Sequence, residues 1–216
     1  MKIVFCLPGK EFSGRFLECW SNLLTFCLKS GLEVYMRRQY SSNVFTCRNM
    51  CLNEGTHLAN EKPRVAEPLE KTGYDFVMWI DSDQIFEPPQ FRKLVDYNLP
   101  IVGGYAVNGP GGQVACGQIR ETGHLDWYTL KTIKEAPTNE VGLIKVDFTG
   151  FAFLLVKKGV FESIGYPWFR YVAKQKGDKL FYPSEDIAWS TLATDKGWEI
   201  LIDPEVKVGH EKLVIF

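Results

Sequence analysis

Two aspartates separated by one residue, Asp81 and Asp83, come directly after an apolar run at residues 74–80. The run is rich in aromatic and branched side chains and predicts a buried strand. A rigid strand end would hold both carboxylates in one small volume, where their repulsion is costly unless a cation or a proton offsets it. Hard divalent ions take oxygen ligands, and a diphosphate could supply the ligands that the protein does not. The pair therefore indicates a metal site, although Asp and Ser are also common in solvated turns.

A second acidic pair, Glu185 and Asp186, lies at the start of a helix predicted over residues 185–196. Carboxylates are favoured there by the helix dipole, which is a purely structural explanation. The functional interpretation makes one of them a general base that deprotonates an acceptor hydroxyl beside the metal site. The spacing alone leaves both interpretations open.

Two basic side chains could join these carboxylates. His210 follows the last predicted strand and could complete a metal site begun by Asp83, and its nitrogen would suit manganese better than magnesium. Arg48, in a helix predicted over residues 44–59, could hold a nucleotide phosphate or base edge through its planar guanidinium. A lone histidine is more often structural, and an arginine on a helix is as often part of a surface ion pair.

The commonest phosphate-binding motifs are missing from the sequence. There is no G-x-G-x-x-G after the first strand and no P-loop lysine pattern. A G-x-S-x-G nucleophile elbow is also missing. Any nucleotide would therefore be held by other residues.

The periodicity predicts the elements that must position these side chains. Strands alternate with helices through the first half, which predicts a parallel sheet covered on both faces, and the second half is more mixed. In such sheets ligands bind beyond the carboxyl ends of the strands, which is where Asp81 would lie. The predicted strands are at 2–7, 32–36, 74–80, 101–106, 114–119, 143–146, 152–156 and 198–202, and the remaining predicted helices are at 14–30, 88–97 and 159–164.

Length and composition exclude several classes of protein. The 216 residues favour one domain, because single cores commonly reach about 200–250 residues. A hydrophobic share of 45% and a charged share of 24% argue against disorder, collagen-like repeats and a coiled coil. With 25 basic against 26 acidic residues, no basic excess exists for a nucleic-acid partner.

The sequence also predicts no membrane span and no signal peptide. Its longest uncharged apolar stretch, at residues 148–156, is far shorter than the roughly 20 residues that a bilayer requires. The N-terminal apolar run stops at Pro8-Gly9, which is too early for a signal peptide. We therefore expect a cytoplasmic chain, in which the six cysteines are free thiols buried in the core.

Four segments, in this order, resemble those of GT-A-fold glycosyltransferases that use nucleotide-sugars. CRNMCLNEG at 47–55 is similar to the helix with a nucleotide-facing arginine, and GYDFVMWIDSD at 73–83 to the strand and D-x-D motif. FTGFAFLLVKKGVFESIGYPWF at 148–169 resembles the segment that ends in an aromatic acceptor-side loop. SEDIAWSTLATDKGWEILIDPEVKVGHE at 184–211 resembles the x-E-D motif with its helix and terminal histidine. The compact form also resembles glycosyltransferases of large algal viruses, which would place the protein in a host cytoplasm.

The resemblance implies a fold and a reaction. The fold would be α/β: a Rossmann-like, mixed and mainly parallel sheet flanked by helices, in a single domain over residues 1–216. Residues 1–106 would be the nucleotide-binding half and residues 107–216 the acceptor-side half. The enzyme would be a hexosyltransferase that uses Mn²⁺, or Mg²⁺, to move one sugar from a nucleotide-sugar, by default a UDP-sugar, to a glycan hydroxyl with inversion.

The resemblance also assigns roles to individual residues. The sequence departs from many relatives at Ala188 and Thr191, which replace a later Asp and Arg. The Q-x-x-R-W motif of processive synthases is also missing, and its absence favours addition of a single sugar. The assigned roles are metal contact for Asp83, Asp81 and His210; donor binding for Pro8, Gly9, Arg48, Asp81 and Asp83; catalytic base for Asp186, with Glu185 as the second choice; and stacking on acceptor sugars for Trp168 and Phe169.

Three other functions are also compatible with these motifs. A D-x-D phosphatase also carries its motif after a buried strand, but normally near the start of the chain. A nucleotidyltransferase would use similar chemistry with a Gly-rich basic loop, of which Pro8-Gly9-Lys10 is only a fragment. A non-catalytic carbohydrate-binding module would bind free sugar without nucleotide. The donor sugar, the acceptor, the oligomeric state and whether the chain is part of a longer protein are not specified by the sequence.

Overall fold

The apolar runs of the sequence pair into one central sheet with helices against both faces. The computed structural model describes residues 1–54, 66–109, 111–176 and 179–212. Within them the helices are α1 (Gly14–Lys29), α2 (Val44–Leu52), α3 (Pro88–Tyr97), α4 (Thr132–Glu135), α5 (Val160–Ile164) and α6 (Glu185–Asp195). The strands are β1 (Lys2–Pro8), β2 (Glu33–Gln39), β3 (Phe76–Ile80), β4 (Gln84–Ile85), β5 (Ile101–Tyr105), β6 (Gln113–Ile119), β7 (Leu125–Thr129), β8 (Ile144–Val146), β9 (Phe148–Thr149), β10 (Phe153–Lys157), β11 (Lys174–Lys176), β12 (Lys179–Phe181), β13 (Ile200–Lys207) and β14 (Gly209–His210).

The central sheet has seven strands in the order β2-β1-β3-β10-β5-β13-β8. β1 pairs in parallel with β2 and β3, and β5 pairs in parallel with β13. β10 and β8 are antiparallel to their neighbours, so five of these seven strands share one direction. The predicted architecture, a mixed and mainly parallel α/β sheet in one domain, is confirmed.

Strand residues alternate between two apolar layers. All five residues of β3 are buried, as a strand covered on both faces requires. Val77 and Trp79 pack in the layer that contains α2, α5 and α6. Phe76, Met78 and Ile80 pack in the opposite layer, with α1 and α3. The β3 backbone is thus fixed from both sides, which makes its carboxyl end a rigid support.

The second half of the chain completes the sheet that the first half begins. β10 lies between β3 and β5, so the two halves expected at 1–106 and 107–216 share one core. β6 pairs with β7 and β9 in a separate three-stranded sheet, and β14 pairs with β4 in a two-stranded one. The last pairing brings the residues after β13 back to the carboxyl end of β3.

The helix predicted over residues 44–59 ends earlier than expected. Its start is correct, because the Asn43 side chain caps it by accepting from the amide of Thr46 at 3.1 Å. The helix ends at Leu52, and the next residue is extended. Arg37 of β2 donates to the carbonyls of Cys51 at 3.2 Å and Asn53 at 2.9 Å, which satisfies helix-end acceptors from a distant strand. Residues 55–59 of the prediction lie outside the described residues.

All six cysteines are free, as predicted; five are buried and Cys19 is half-buried. Among the described residues, no helix is both long and apolar enough to cross a bilayer.

Candidate active site

The two aspartates of the D-x-D sequence lie on a turn at the carboxyl end of β3. The amide of Asp81 donates to the carbonyl of Ala152 at 3.3 Å, and the amide of Gln84 donates to the carbonyl of Asp81 at 3.2 Å. Gly9, after β1, packs so closely on this turn that a Cβ atom there would lie 2.5 Å from the Cβ of Ser82. The close approach explains why a glycine follows β1, and it fixes the turn against the neighbouring strand.

A cavity of about 360 Å³ opens beside this turn, at the carboxyl ends of β1 and β2. Its volume is typical of small-molecule sites, and its position is where ligands bind in open α/β sheets. Tyr40, which is 53% exposed, contributes an accessible aromatic ring. The cavity is lined by Pro8, Gly9, Tyr40, Ser41, Ser42, Val44, Cys47, Arg48, Asp81, Ser82, Asp83 and Glu185.

Arg48 lies at the base of this cavity with its side chain only 4% exposed. Its Nη2 atom lies 3.1 Å from Asp81 Oδ1 and 3.3 Å from Glu185 Oε1. The guanidinium also lies over the rings of Phe151 and Trp79, at 4.8 and 5.5 Å. Burial alone would lower the pKa of Arg48, but the two carboxylates outweigh that effect and raise it. Arg48 is therefore a buried cation that joins the two acidic pairs, rather than part of a surface ion pair.

Asp83 faces away from Arg48 and toward the end of the chain. Its Oδ2 lies 2.8 Å from His210 Nε2 and 3.4 Å from Lys212 Nζ, and its Oδ1 accepts from the side-chain Nε2 of Gln84 at 2.8 Å. Burial would raise the pKa of Asp83, but the hydrogen bonds from Gln84 and His210, with the nearby positive charges, bring it below its ordinary value. Asp83 is thus held in its charged form.

A second cavity of about 260 Å³ adjoins the first and shares Arg48, Asp81, Asp83 and Glu185 with it. Asp186 lies on its wall. The Asp186 Oδ1 atom accepts from the amide of Ile187 at 2.8 Å and from the hydroxyl of Ser184. Its Oδ2 atom has no hydrogen-bond partner among the described residues, and it lies 3.8 Å from the position that a Cβ atom of Gly150 would take.

Glu185 has a different environment from its neighbour. Its Oε1 atom accepts from Nε and Nη2 of Arg48, both at 3.3 Å. Burial raises the pKa of Glu185 above its ordinary value, with the charge of Arg48 opposing the shift. Both carboxylates line the second cavity, and Asp186 differs from Glu185 in having no cation paired with it among the described residues.

Asp83 and His210 have the chemistry of metal ligands. His210 Nδ1 lies 2.8 Å from the carbonyl of Val107, which can only accept, so the neutral ring carries its hydrogen on Nδ1. When the ring carries a second proton, Nε2 donates it to Asp83; without that proton the Nε2 lone pair faces the carboxylate, and a cation between the two acceptors would take the place of the proton. An oxygen and an imidazole nitrogen suit manganese.

Asp81, the third predicted metal contact, is not part of that arrangement, because both of its oxygens face Arg48. Among the described residues no three His, Cys, Asp or Glu side chains converge as a complete metal site. The residues therefore fit a metal held by two protein groups, with its other ligands supplied by a diphosphate and water.

Trp168 and Phe169, assigned by the resemblance to stacking on acceptor sugars, are core residues. They are 0% and 1% exposed, and Phe169 packs against Trp79 at 5.4 Å and Phe151 at 5.1 Å. Neither ring presents a face to a ligand, so the predicted stacking role does not hold. An exposed ring does lie nearby, that of Tyr171, which is 61% exposed and packs on Phe45.

The structure brings the remaining candidate residues together. Pro8, Gly9, Arg48, both D-x-D aspartates and Glu185 line the first cavity, and Asp186 and His210 line the second. Tyr40, Ser41 and Ser42 were not predicted as site residues, although their position after the second strand was a usable signal. Gln84 and Lys212 were not predicted either, because no sequence pattern marks them.

Comparisons with known proteins find similarity in three dimensions. No family model and no curated protein sequence matches the chain. Among solved structures, GalNAc-T7 with UDP, GalNAc and Mn²⁺ superposes with a TM-score of 0.52 at 11% identity, over 99% of this chain. The catalytic domain of Drosophila β1,4-galactosyltransferase 7 with xylobiose gives 0.51 at 13% identity, over 100% of this chain. A mutant of the same Drosophila enzyme with manganese, UDP-Gal and xylobiose gives 0.50 at 13% identity, over 98%.

The matches cover different shares of the neighbouring chains. This chain spans 44% of the GalNAc-T7 chain, and 76% and 71% of the two galactosyltransferase chains. Similarity at such low identity establishes the architecture and leaves the activity to be argued from the site. The chain has the GT-A fold.

Proposed function

We propose that the chain is a metal-dependent glycosyltransferase of the hexosyltransferase type. It would move one sugar from a nucleoside-diphosphate sugar, by default a UDP-sugar, to a hydroxyl of a glycan acceptor with inversion. The observation that carries this proposal is the junction of the two cavities. They share Arg48, Asp81, Asp83 and Glu185, and Asp186 lines the second cavity only.

The first cavity fits the nucleotide part of such a donor. Pro8 and Gly9 would line it from β1, and the Tyr40 ring offers an apolar face for a base. Asp83 and His210 would hold Mn²⁺, or Mg²⁺, which when bound neutralises the charge that builds on a departing diphosphate. Arg48 would support this end of the site by keeping Asp81 and Glu185 in place.

The second cavity would hold the transferred sugar and the acceptor hydroxyl. Asp186 Oδ2 would take the hydroxyl proton as the acceptor oxygen bonds to the anomeric carbon. The bond from that carbon to the diphosphate oxygen breaks in the same displacement, with the leaving group on the opposite side. Such a displacement inverts the anomeric configuration. Because the amide of Ile187 and the hydroxyl of Ser184 hold Oδ1, the carboxylate has one fixed orientation.

The alternative functions fit the geometry less well. A D-x-D phosphatase would need Asp81 as a nucleophile, but both oxygens of Asp81 face the buried guanidinium of Arg48. A carbohydrate-binding module would have no use for the free oxygen of Asp186 beside the acidic junction. Two of the neighbour structures contain UDP or UDP-Gal together with manganese, which favours the nucleotide-dependent function.

The proposal is tested by separating donor binding from transfer. UDP is titrated calorimetrically into wild-type protein with Mn²⁺ and then with chelator, beside Asp83→Asn and Asp186→Asn. We expect manganese-dependent binding in the wild type and in Asp186→Asn, and its loss in Asp83→Asn. With a panel of UDP-sugars and glycan acceptors, Asp186→Asn should then lose transfer by about a hundred- to ten-thousandfold.

Each arm has a result that contradicts the proposal. Unchanged turnover in Asp186→Asn would exclude it as the base, and NMR of the product anomer would decide whether the configuration inverts. Binding of free sugar with no binding of UDP, GDP or dTDP would support the carbohydrate-binding module instead.

A further inference from the structure

Backbone hydrogen bonds tie the residues after β13 to the D-x-D turn. β14 pairs with β4, and the amide of Glu211 donates to the carbonyl of Asp83 at 2.8 Å. The next residue, Lys212, extends its ammonium group back toward the same aspartate. The position from which Lys212 reaches into the site is therefore set by backbone pairing.

One carboxylate oxygen receives both side chains of this segment. Asp83 Oδ2 lies 2.8 Å from His210 Nε2 and 3.4 Å from Lys212 Nζ. The Lys212 side chain is 56% exposed, so its ammonium remains hydrated and the contact with Asp83 is weak and exchangeable. A divalent ion bound at Asp83 would repel this ammonium and displace it from the carboxylate.

The charges around the cavities indicate where a displaced ammonium would go. The described lining residues carry four carboxylates, those of Asp81, Asp83, Glu185 and Asp186. Arg48 and Lys212 are the two permanently charged cations among those lining residues; Arg48 is buried, and its Nε and Nη2 atoms are engaged by Asp81 and Glu185. Lys212 is thus the one exposed cation of the described lining that can meet an incoming anion.

We propose that Lys212 is a diphosphate-binding residue that exchanges partners. Without metal it pairs with Asp83; when a divalent ion occupies Asp83, it pairs with the diphosphate of the donor. This inference rests on the proposed function, since it requires a nucleoside diphosphate beside Asp83. It predicts that removing the ammonium has opposite effects on metal binding and on nucleotide binding.

The test measures both affinities in Lys212→Met, Lys212→Arg and a control, Lys134→Met, whose exposed side chain lies on α4. Mn²⁺ affinity without nucleotide is read from the EPR signal of free Mn²⁺, and UDP affinity from calorimetry at saturating Mn²⁺. For Lys212→Met we expect Mn²⁺ to bind about three- to tenfold tighter, because a competing cation is gone, and UDP to bind about tenfold weaker. Lys212→Arg and Lys134→Met should stay within about twofold of the wild type for UDP.

The outcomes separate this inference from the function on which it rests. If wild type binds UDP with Mn²⁺ but Lys212→Met binds UDP equally well, the inference is overturned and the proposed function stands. Unchanged Mn²⁺ affinity in Lys212→Met overturns the exchange of partners, and weaker Mn²⁺ binding would make Lys212 a support for the metal site. If wild type binds neither Mn²⁺ nor UDP, the proposed function fails and the inference fails with it.

Discussion

The buried cluster around Arg48 predicts a large, pH-dependent loss of stability on substitution. Arg48→Met removes a guanidinium that is 4% exposed and leaves Asp81 and Glu185, at 30% and 15% exposure, without their cation. Breaking a buried ion pair by removing one partner costs about 3–5 kcal/mol, because the remaining charge stays desolvated. For a domain of this size the loss corresponds to a fall in Tm of about 6–20 °C.

The pH dependence follows from the remaining carboxylate. Burial already raises the pKa of Glu185, and loss of Arg48 removes the charge that opposes this shift. The folded variant then binds a proton at Glu185 in a pH range where the unfolded chain has released it, so its stability falls as pH rises through that range. Arg48→Met should therefore lose less stability near pH 5 than near pH 8.

Urea unfolding followed by tryptophan fluorescence at both pH values measures the effect. Arg92→Met is the matched control, because Arg92 pairs with Asp96 on the exposed surface of α3 and should change the midpoint little. Adding Glu185→Gln to Arg48→Met should restore part of the loss. A deficit equal at both pH values, or no larger than that of Arg92→Met, would refute the assignment of Arg48 as a compensating buried cation.

Two further substitutions test the packing around the site. Gly9→Ala forces Ser82 to move, at a cost of about 1–3 kcal/mol, and the shifted turn should bind UDP with Mn²⁺ about tenfold more weakly. Calorimetry measures the UDP affinity. Gly14→Ala is the control, because a Cβ atom there meets nothing within 4 Å. Trp168→Ala should destabilise the fold by about 3–5 kcal/mol without changing the UDP affinity of the folded protein. Tyr171→Ala, in contrast, should leave the urea midpoint nearly unchanged. A normal urea midpoint for Trp168→Ala would contradict the place of Trp168 in the core.

The sequence predicted α3 well because the signals that determine it are local, but it did not predict β7 or α4. α3 begins at a pair of prolines and ends before Asn98 in a left-handed conformation, so its predicted and observed bounds agree. α2 ends through Arg37, a residue of a different strand, and a periodic pattern carries no information about such a partner. β4 and β14 have two residues each, which is too short for any period to show.

The candidate site was predictable in its acidic residues but less so in their partners. Strand context pointed to Asp81 and Asp83, and the helix start pointed to Asp186. The ion pair of Arg48 with Glu185 joins residues 137 positions apart, a distance over which one sequence contains no pairing signal. The prediction that Trp168 and Phe169 stack on acceptor sugars was wrong, because aromatic rings that suit sugar stacking suit a protein core equally well.

The order of strands in the sheet has a consequence for synthesis on the ribosome. β1, β2 and β3 are made early and can pair with one another, but the other edge of β3 waits for β10, made more than 70 residues later. An open strand edge in a nascent chain invites wrong pairing. The pairing of β14 with β4 waits longer still, because β14 must first leave the exit tunnel. The nascent chain is therefore exposed to misassembly during elongation, and the contact between Asp83 and His210 can form only once His210 has left the tunnel.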